Sequence, residues 1–337
     1  MSSADSRTIV ILAGLAGIKY AVMTFIAKKH KDNAKPVATI DEIYFYPFKA
    51  LKGFMVNEIE LTYTGFKYKG LYDRHFMIVN DCDEIVTSKE QPSLVLISTS
   101  IQNDRLWLHV DGMEDTSLPL DTQNLNRLCG KVRTVKNWFN YCKGIDCGDE
   151  IAAWFNKYLK KTNLRVIYFD KKFEIPFADG FSSWDGLLKN WDMSSYTDGS
   201  PVSLISHSSI DDLNTRLPKE SKIRTVRQFR MNLIVKDCAP YAEDDWQEFY
   251  IGETKLHHCL VCPRCIAPNV DPLTGKRSKA FEPLKTLKTY RLPDELVKRM
   301  YPKTCPDVKK LATFPKIGAL CGVDTCGTIK VGDIVKV

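Results

Sequence analysis

The chain has 337 residues, 44% hydrophobic and 26% charged, a balance that excludes a disordered tail or a fibrous repeat. Its net charge of +7 is modest and its basic residues are interleaved with acidic ones, which argues against nucleic-acid binding and leaves an anionic surface or an acidic protein as partner. Eleven cysteines, an odd count with no regular framework and no signal-peptide cleavage pattern, fit a reducing compartment.

Residues 8–27 are almost wholly apolar, interrupted only by Lys19, and at helical rise they span about one bilayer. The basic cluster Lys28-Lys29-His30-Lys31 follows the run instead of preceding it. That order predicts a retained signal anchor, with the body of the chain on the cytosolic side. Asp32 to Pro36 reads as a short linker.

Strand signals dominate beyond it. Ile40 to Phe48 is rich in isoleucine and aromatics. The runs 75–79 and 84–87 flank Asn80 to Asp83, a hairpin turn by composition. The runs 94–98 and 106–110 flank Gln102 to Arg105, which predicts a second hairpin. Asp149 to Lys161 carries Ile151, Trp154, Phe155 and Leu159 at helical spacing. Ser209 to Leu217 has a helix start resembling a capping box. Phe173 to Gly199 has few periodic signals and reads as a connection between two β-rich units. The last residues, Gly327 to Val337, predict two short strands about a Gly-Asp turn that close a barrel. The whole is a mixed α+β, β-rich fold of barrel or sandwich type.

The densest chemical signal is Cys259-Leu-Val-Cys262-Pro-Arg-Cys265. Four readings stand side by side. The thiols are small core residues. They hold an iron–sulfur cluster, with Cys305 or Cys238 as fourth ligand. They join His257 or His258 around zinc. Or one thiolate ligates a cofactor that brings most of its own coordination, with the Arg264 fork beside it.

Several further segments, in order, carry a resemblance: Tyr46-Pro-Phe-Lys-Ala-Leu-Lys-Gly53, Asp73-Arg74, Asp198-Gly-Ser-Pro201, Phe229-Arg-Met-Asn232, Tyr241 to Trp246, Val270 to Gly275, Glu282 to Arg291 and Gly327 to Asp333. Together with the cysteine run they resemble the molybdenum cofactor sulfurase carboxyl-terminal (MOSC) domain and, more closely, the mitochondrial amidoxime-reducing components. The resemblance implies a MOSC-type β-barrel behind an N-terminal β-barrel-like domain and a transmembrane helix, divided as 1–36, 37–170 and 171–337.

It also implies a molybdenum pyranopterin (Mo-molybdopterin) cofactor with Cys265 as the protein's metal ligand and catalytic thiolate. Lys49, Ala50, Arg74, Gly199, Ser200, Arg230, Asn232, Pro263 and Arg264 then bound the pterin and its phosphate. Arg230 and Asn232 are expected on one face of a strand. Relatives carry serine where Ala50 stands, threonine where Gly199 stands and often serine where Pro263 stands. Pro263 has no amide hydrogen to offer.

The implied activity is reduction of N-hydroxylated compounds (amidoximes, N-hydroxyamines) and of nitrite. No dinucleotide-binding glycine motif follows a strand, so electrons must come from outside. The family's donors are cytochrome b5 and its NADH reductase, and its location is the mitochondrial outer membrane. A MOSC-type sulfur or cofactor carrier and an iron–sulfur electron-transfer protein are the competing functions.

Overall fold

The computed structural model describes residues 29–121, 130–137, 140–170, 172–173, 196–197, 199–292 and 313–337. The expected anchor at 8–27, most of the connection 173–199 and Cys305 lie outside the described residues. Among those described, no helix is long and apolar enough to cross a membrane. A helical turn at 29–33 covers the first two residues of the stretch read as a linker, and β1 begins at its last, Pro36.

The first strands are β1 (Pro36–Phe45), β2 (Phe54–Val56), β3 (Glu58–Thr62), β4 (Gly65–Tyr68), β5 (Leu71–Tyr72), β6 (Phe76–Val79) and β7 (Ile85–Val86). Then come β8 (Ser98–Gln102), β9 (Arg105–His109), β10 (Thr116–Pro119), β11 (Val132–Asn137), β12 (Asn140–Asp146), helix α1 (Asp149–Leu159) and β13 (Arg165–Tyr168). The second half holds β14 (Val202–Ser206), α2 (His207–Arg216), β15 (Leu233–Lys236), β16 (Glu248–Ile251) and β17 (Thr254–Pro263). It ends with α3 (Leu284–Tyr290), β18 (Lys316–Thr325), β19 (Gly327–Lys330) and β20 (Ile334–Lys336).

Seven strands close into a barrel in the order β15-β14-β18-β17-β16-β20-β1, with β1 returning to β15 antiparallel from Thr39↔Lys236 to Ile43↔Leu233. Closure leaves these strands no free edge. The parallel pair β14–β15 is bridged by the α2 crossover, as parallel neighbours require. A five-stranded sheet β11-β12-β13-β6-β7 and smaller sheets β10-β9-β8 and β19-β3-β4-β5 complete the fold.

The two halves share staves. β1 completes the barrel of the second half, and β19 pairs with β3 of the first. A continuous apolar core runs from Ile40 and Phe45 through Phe48, Phe76 and Phe155 to Leu204, Val235 and Val323. The expected closing strands are both present, but they pair with different partners, β19 with β3 and β20 with β1 and β16.

Two readings are corrected. Leu94–Leu96 form a 3-10 turn begun by Pro92, and the second hairpin is Ser98–Gln102 with Arg105–His109. Its tip residues Asn103 (φ 49°) and Asp104 (φ 54°) are both left-handed, matching the strand twist. Helix α2 starts earlier than expected, because Ser206 Oγ accepts the Ser209 amide at 3.1 Å and is the true N-cap. The α1 periodicity holds as read, with Ile151, Trp154, Phe155 and Leu159 buried.

Candidate cofactor site

Tyr46 follows β1 and is fully buried. Its amide donates to Asp73 Oδ1 at 2.8 Å, and the Arg74 amide donates to the Tyr46 carbonyl at 2.6 Å. This pins the 46–49 and 73–76 segments together, extended by the stacked rings of Phe48 and Phe76 at 4.8 Å. The Arg74 guanidinium lies over the Tyr46 ring at 4.7 Å and that of Arg230 over the same ring at 4.6 Å. Gly53 lets the ring seat, since a Cβ there would meet Tyr46 Cδ1 at 2.4 Å.

Arg74 is held as a fork. It pairs with Asp73, donates Nη1 to Asn232 Oδ1 at 3.1 Å and Nη2 to the Arg230 carbonyl at 2.7 Å. Asn232 is fixed in turn by Ser203 Oγ (2.9 Å) and by donating Nδ2 to the Tyr44 carbonyl (3.1 Å). Arg230 also donates to the Leu51 carbonyl. Arg230 and Asn232 therefore converge, but not on a strand. Arg230 ends the 3-10 turn Val226–Phe229 in a left-handed conformation, and β15 starts only at Leu233. The strand expectation failed because apolar alternation around 229–235 hides this reversal.

Lys49 is buried, and its Nζ donates to the Tyr196 carbonyl at 2.6 Å. Ser200 is buried and donates to the Val202 carbonyl at 2.8 Å. Ala50 (φ 74°), Arg74 (φ 54°), Arg230 (φ 55°) and Gly199 (φ 150°) all occupy the region that favours glycine. Three of these are side-chain-bearing residues, and such strain persists where a site over-determines the backbone.

The cysteine run divides. Cys259 and Cys262 sit on β17 and pack in the apolar cluster with Leu260, Ile317 and Leu320. Cys265 lies past the strand end, half-buried. Pro263 is the last strand residue, opposite Lys316. Arg264 turns into the barrel wall, donating Nε and Nη2 to the Ile317 carbonyl (3.0 and 2.8 Å) and Nη1 to the Phe229 carbonyl (3.1 Å). Its fork is thus spent on backbone, while it ties the Cys265 loop to the Arg230 turn. Gln228 makes a second tie, Nε2 to the Pro268 carbonyl at 2.6 Å.

Among the described residues, which exclude Cys305, neither metal alternative is assembled. Among the described residues, the group of three His, Cys, Asp or Glu side chains with ligand atoms within 4.8 Å of one another is Asp41, Glu42 and His207, remote in sequence from the cysteines. Lys236 Nζ already pairs with that Asp41 at 2.7 Å. His257 faces Asp324 at 2.9 Å, and burial lowers His258 to about 4.

Tyr46, Gly53, Arg230, Lys52 and Arg227 line a small open cleft, together with Ser88, Val95 and the loop residues Ala267, Val270 and Pro272. Three guanidiniums (Arg230, Arg74 and Arg227) and one carboxylate (Asp73) act on Tyr46, whose hydroxyl is pushed up to about 12, chiefly by burial. Burial and Arg227 lower Lys52, and Asp111 partly offsets them. This cationic surplus suits an anionic, planar ligand. Sequence reasoning missed Tyr46, Lys52 and Arg227 as site residues. The first two stand in the quoted Tyr46–Gly53 segment, but only the fold brings Arg227 to them.

The sequence matches the MOSC N-terminal beta barrel domain over residues 37–162 and the MOSC domain over residues 193–336. Mitochondrial amidoxime reducing component 2 of Rattus norvegicus is 34% identical over 97% of this chain and 91% of its own length. The Bos taurus protein of the same name is 36% identical over 89% and 83%, and mitochondrial amidoxime-reducing component 1 of Homo sapiens 34% over 89% and 82%. Two domain matches in order, and relatives aligned over most of both chains, show that the chain belongs to the amidoxime-reducing component family of MOSC-domain proteins.

Proposed function

We propose that this chain is a molybdenum-cofactor-dependent reductase of N-hydroxylated compounds, with Cys265 as the protein's thiolate ligand to the metal. The observation that carries the reading is the cluster around Tyr46, where the Arg74 and Arg230 guanidiniums lie over one buried ring, with Asp73 paired to Arg74 alone, beside an open cleft that Arg227 and Lys52 also line. A pterin phosphate would offset that surplus, so the residues fit the group. Lys49, Arg74 and Arg230 supply charge, and Asn232 and Ser200 supply polar anchoring. Ala50, Gly199, Pro263 and Arg264 shape the backbone that bounds the group. When bound, the cofactor supplies the redox centre at which oxygen leaves the substrate.

The chain's own contribution is positioning. Asp73 and Asn232 hold Arg74 in one orientation, so its fork is pre-aligned at no further entropic cost. Arg264 and Gln228 fix the Cys265 loop against the Arg230 turn. Electrons reach the site from cytochrome b5 and its NADH reductase, because no nucleotide-binding motif is present. Residues 8–27 anchor the protein in the mitochondrial outer membrane, with the body facing the cytosol. The names of the relatives support the mitochondrial part of this reading.

The test is elemental analysis of the purified full chain, followed by amidoxime reduction with cytochrome b5 and its reductase. Stoichiometric molybdenum and NADH-dependent amidine formation are expected. Molybdenum with no reductase activity, but with sulfur delivered to a cofactor acceptor, would mark a carrier instead.

A further inference from the structure

We propose that the exposed surface of residues 266–288 is the docking face for an acidic, electron-carrying protein domain. The proposal rests on the reading of Cys265 as ligand to the redox centre, because this surface opens on Ile266, the next residue. Three large apolar side chains stand out from it: Ile266 at 41%, Leu273 at 47% and Phe281 at 65% exposed. Phe281 is displayed in a left-handed conformation (φ 60°), unusual for an aromatic residue.

Around them Lys276, Lys279, Lys285 and Lys288 are exposed, and none of the four is paired with a carboxylate among the described residues. Several strand lysines are instead paired, Lys67 with Glu60, Lys136 with Glu84 and Lys255 with Glu248, each at 2.8 Å. The segment's own two acids are engaged within it. Glu282 is buried and accepts the Thr286 amide at 2.9 Å, and Asp271 accepts from Leu273 N (2.8 Å) and Thr274 Oγ1 (3.1 Å).

The face is also built to be rigid. Asn269 accepts the Ser278 amide on its carbonyl at 2.7 Å and the Leu284 amide on Oδ1 at 3.2 Å. Lys285 and Lys288 share one side of α3, while Leu284 and Leu287 anchor the other. A firm, net-cationic surface with apolar points, whose one solvent-accessible carboxylate, Asp271, is engaged by its own turn, complements an acidic protein, and its start beside Cys265 keeps the electron path short. An anionic membrane would meet the same charges but would have no use for that proximity.

The test uses the full-length, cofactor-loaded protein and soluble cytochrome b5. Lys285→Glu/Lys288→Glu is compared with Lys157→Glu/Lys161→Glu, an equal charge change at exposed positions on α1 and just past its C-terminal end. The face variant is expected to bind cytochrome b5 about tenfold more weakly at low salt and the control within about twofold, with the difference shrinking as salt rises. Phe281→Ala is expected to weaken binding at every salt concentration.

Turnover driven by reduced viologen is expected to be unchanged in both double variants. Equal weakening in the two would reduce the effect to net charge and overturn the proposal. So would weaker binding to phosphatidylserine vesicles with cytochrome b5 binding intact, which would assign the face to the membrane. Because affinity is read without turnover, a wild type that binds cytochrome b5 through this face but reduces no N-hydroxylated compound supports the docking face and refutes the proposed reaction.

Discussion

Arg74 donates Nη2 to the main-chain carbonyl of Arg230 at 2.7 Å, and both guanidiniums lie over the one Tyr46 ring. Two like charges are thereby held together, and Asp73 pairs with Arg74 alone. The fold keeps this arrangement by left-handed backbone at both arginines, φ 54° and φ 55°. An anion in the adjoining cleft is the natural counter-charge.

Arg74→Lys retains the charge and loses the fork. A lysine can serve Asp73, but it cannot also reach Asn232 Oδ1 and the Arg230 carbonyl in one plane. Molybdenum content per purified chain is expected to fall several-fold. The urea midpoint should shift by an amount equivalent to about 1–2 kcal/mol. Full molybdenum loading in this variant would show that the fork is not needed for retention.

Arg264→Ala should act mainly on stability. It removes the charged donors from the Ile317 and Phe229 carbonyls inside the barrel wall. Buried carbonyls left without these donors cost about 2–4 kcal/mol together. Denaturant unfolding of the cofactor-free protein reads this directly. If unfolding is unchanged while molybdenum is lost, Arg264 is a cofactor ligand and not a strut.

Stability should depend on pH through His258. Its Nε2 is closed off from solvent, and burial lowers the ring from 6.5 to about 4. Above pH 6.5 neither the folded nor the unfolded chain holds this proton; between about 4 and 6.5 the unfolded chain binds more of it. Stability from this group is therefore complete above pH 6.5 and is lost as pH falls toward about 4. His258→Gln should flatten the acid side of a plot of melting temperature against pH. An identical acid slope in the variant would clear His258 of this role.

Cys259→Ala and Cys262→Ala should leave molybdenum content intact. Each removes a small thiol from a packed apolar cluster and should cost about 1 kcal/mol. Loss of metal in either variant would revive a shared thiolate site.

Local signals carried much of the fold. The Asn80–Asp83 turn, the α1 stripe and the closing strands were legible because their causes are short-range. Leu94–Leu96 were not, because apolar runs of that length suit a strand or a 3-10 turn, and Pro92 decided between them. The barrel closure of β1 onto β15 joins segments nearly two hundred positions apart, beyond any local pattern. Lys49, Arg74, Arg230 and Asn232 were singled out by motif. That the Arg74 and Arg230 guanidiniums meet over Tyr46 was hidden, because nothing in an arginine announces a left-handed backbone. Arg264 was legible as a cation, but its choice between ligand and carbonyl clamp was made by the barrel wall.

The most direct test is X-ray absorption at molybdenum on the full-length protein, wild type and Cys265→Ser. The account predicts molybdenum in both, one sulfur scatterer fewer in the variant, and loss of amidoxime reduction with an unchanged unfolding midpoint. An unchanged sulfur shell in Cys265→Ser, or iron with labile sulfide in place of molybdenum in the wild type, would contradict it.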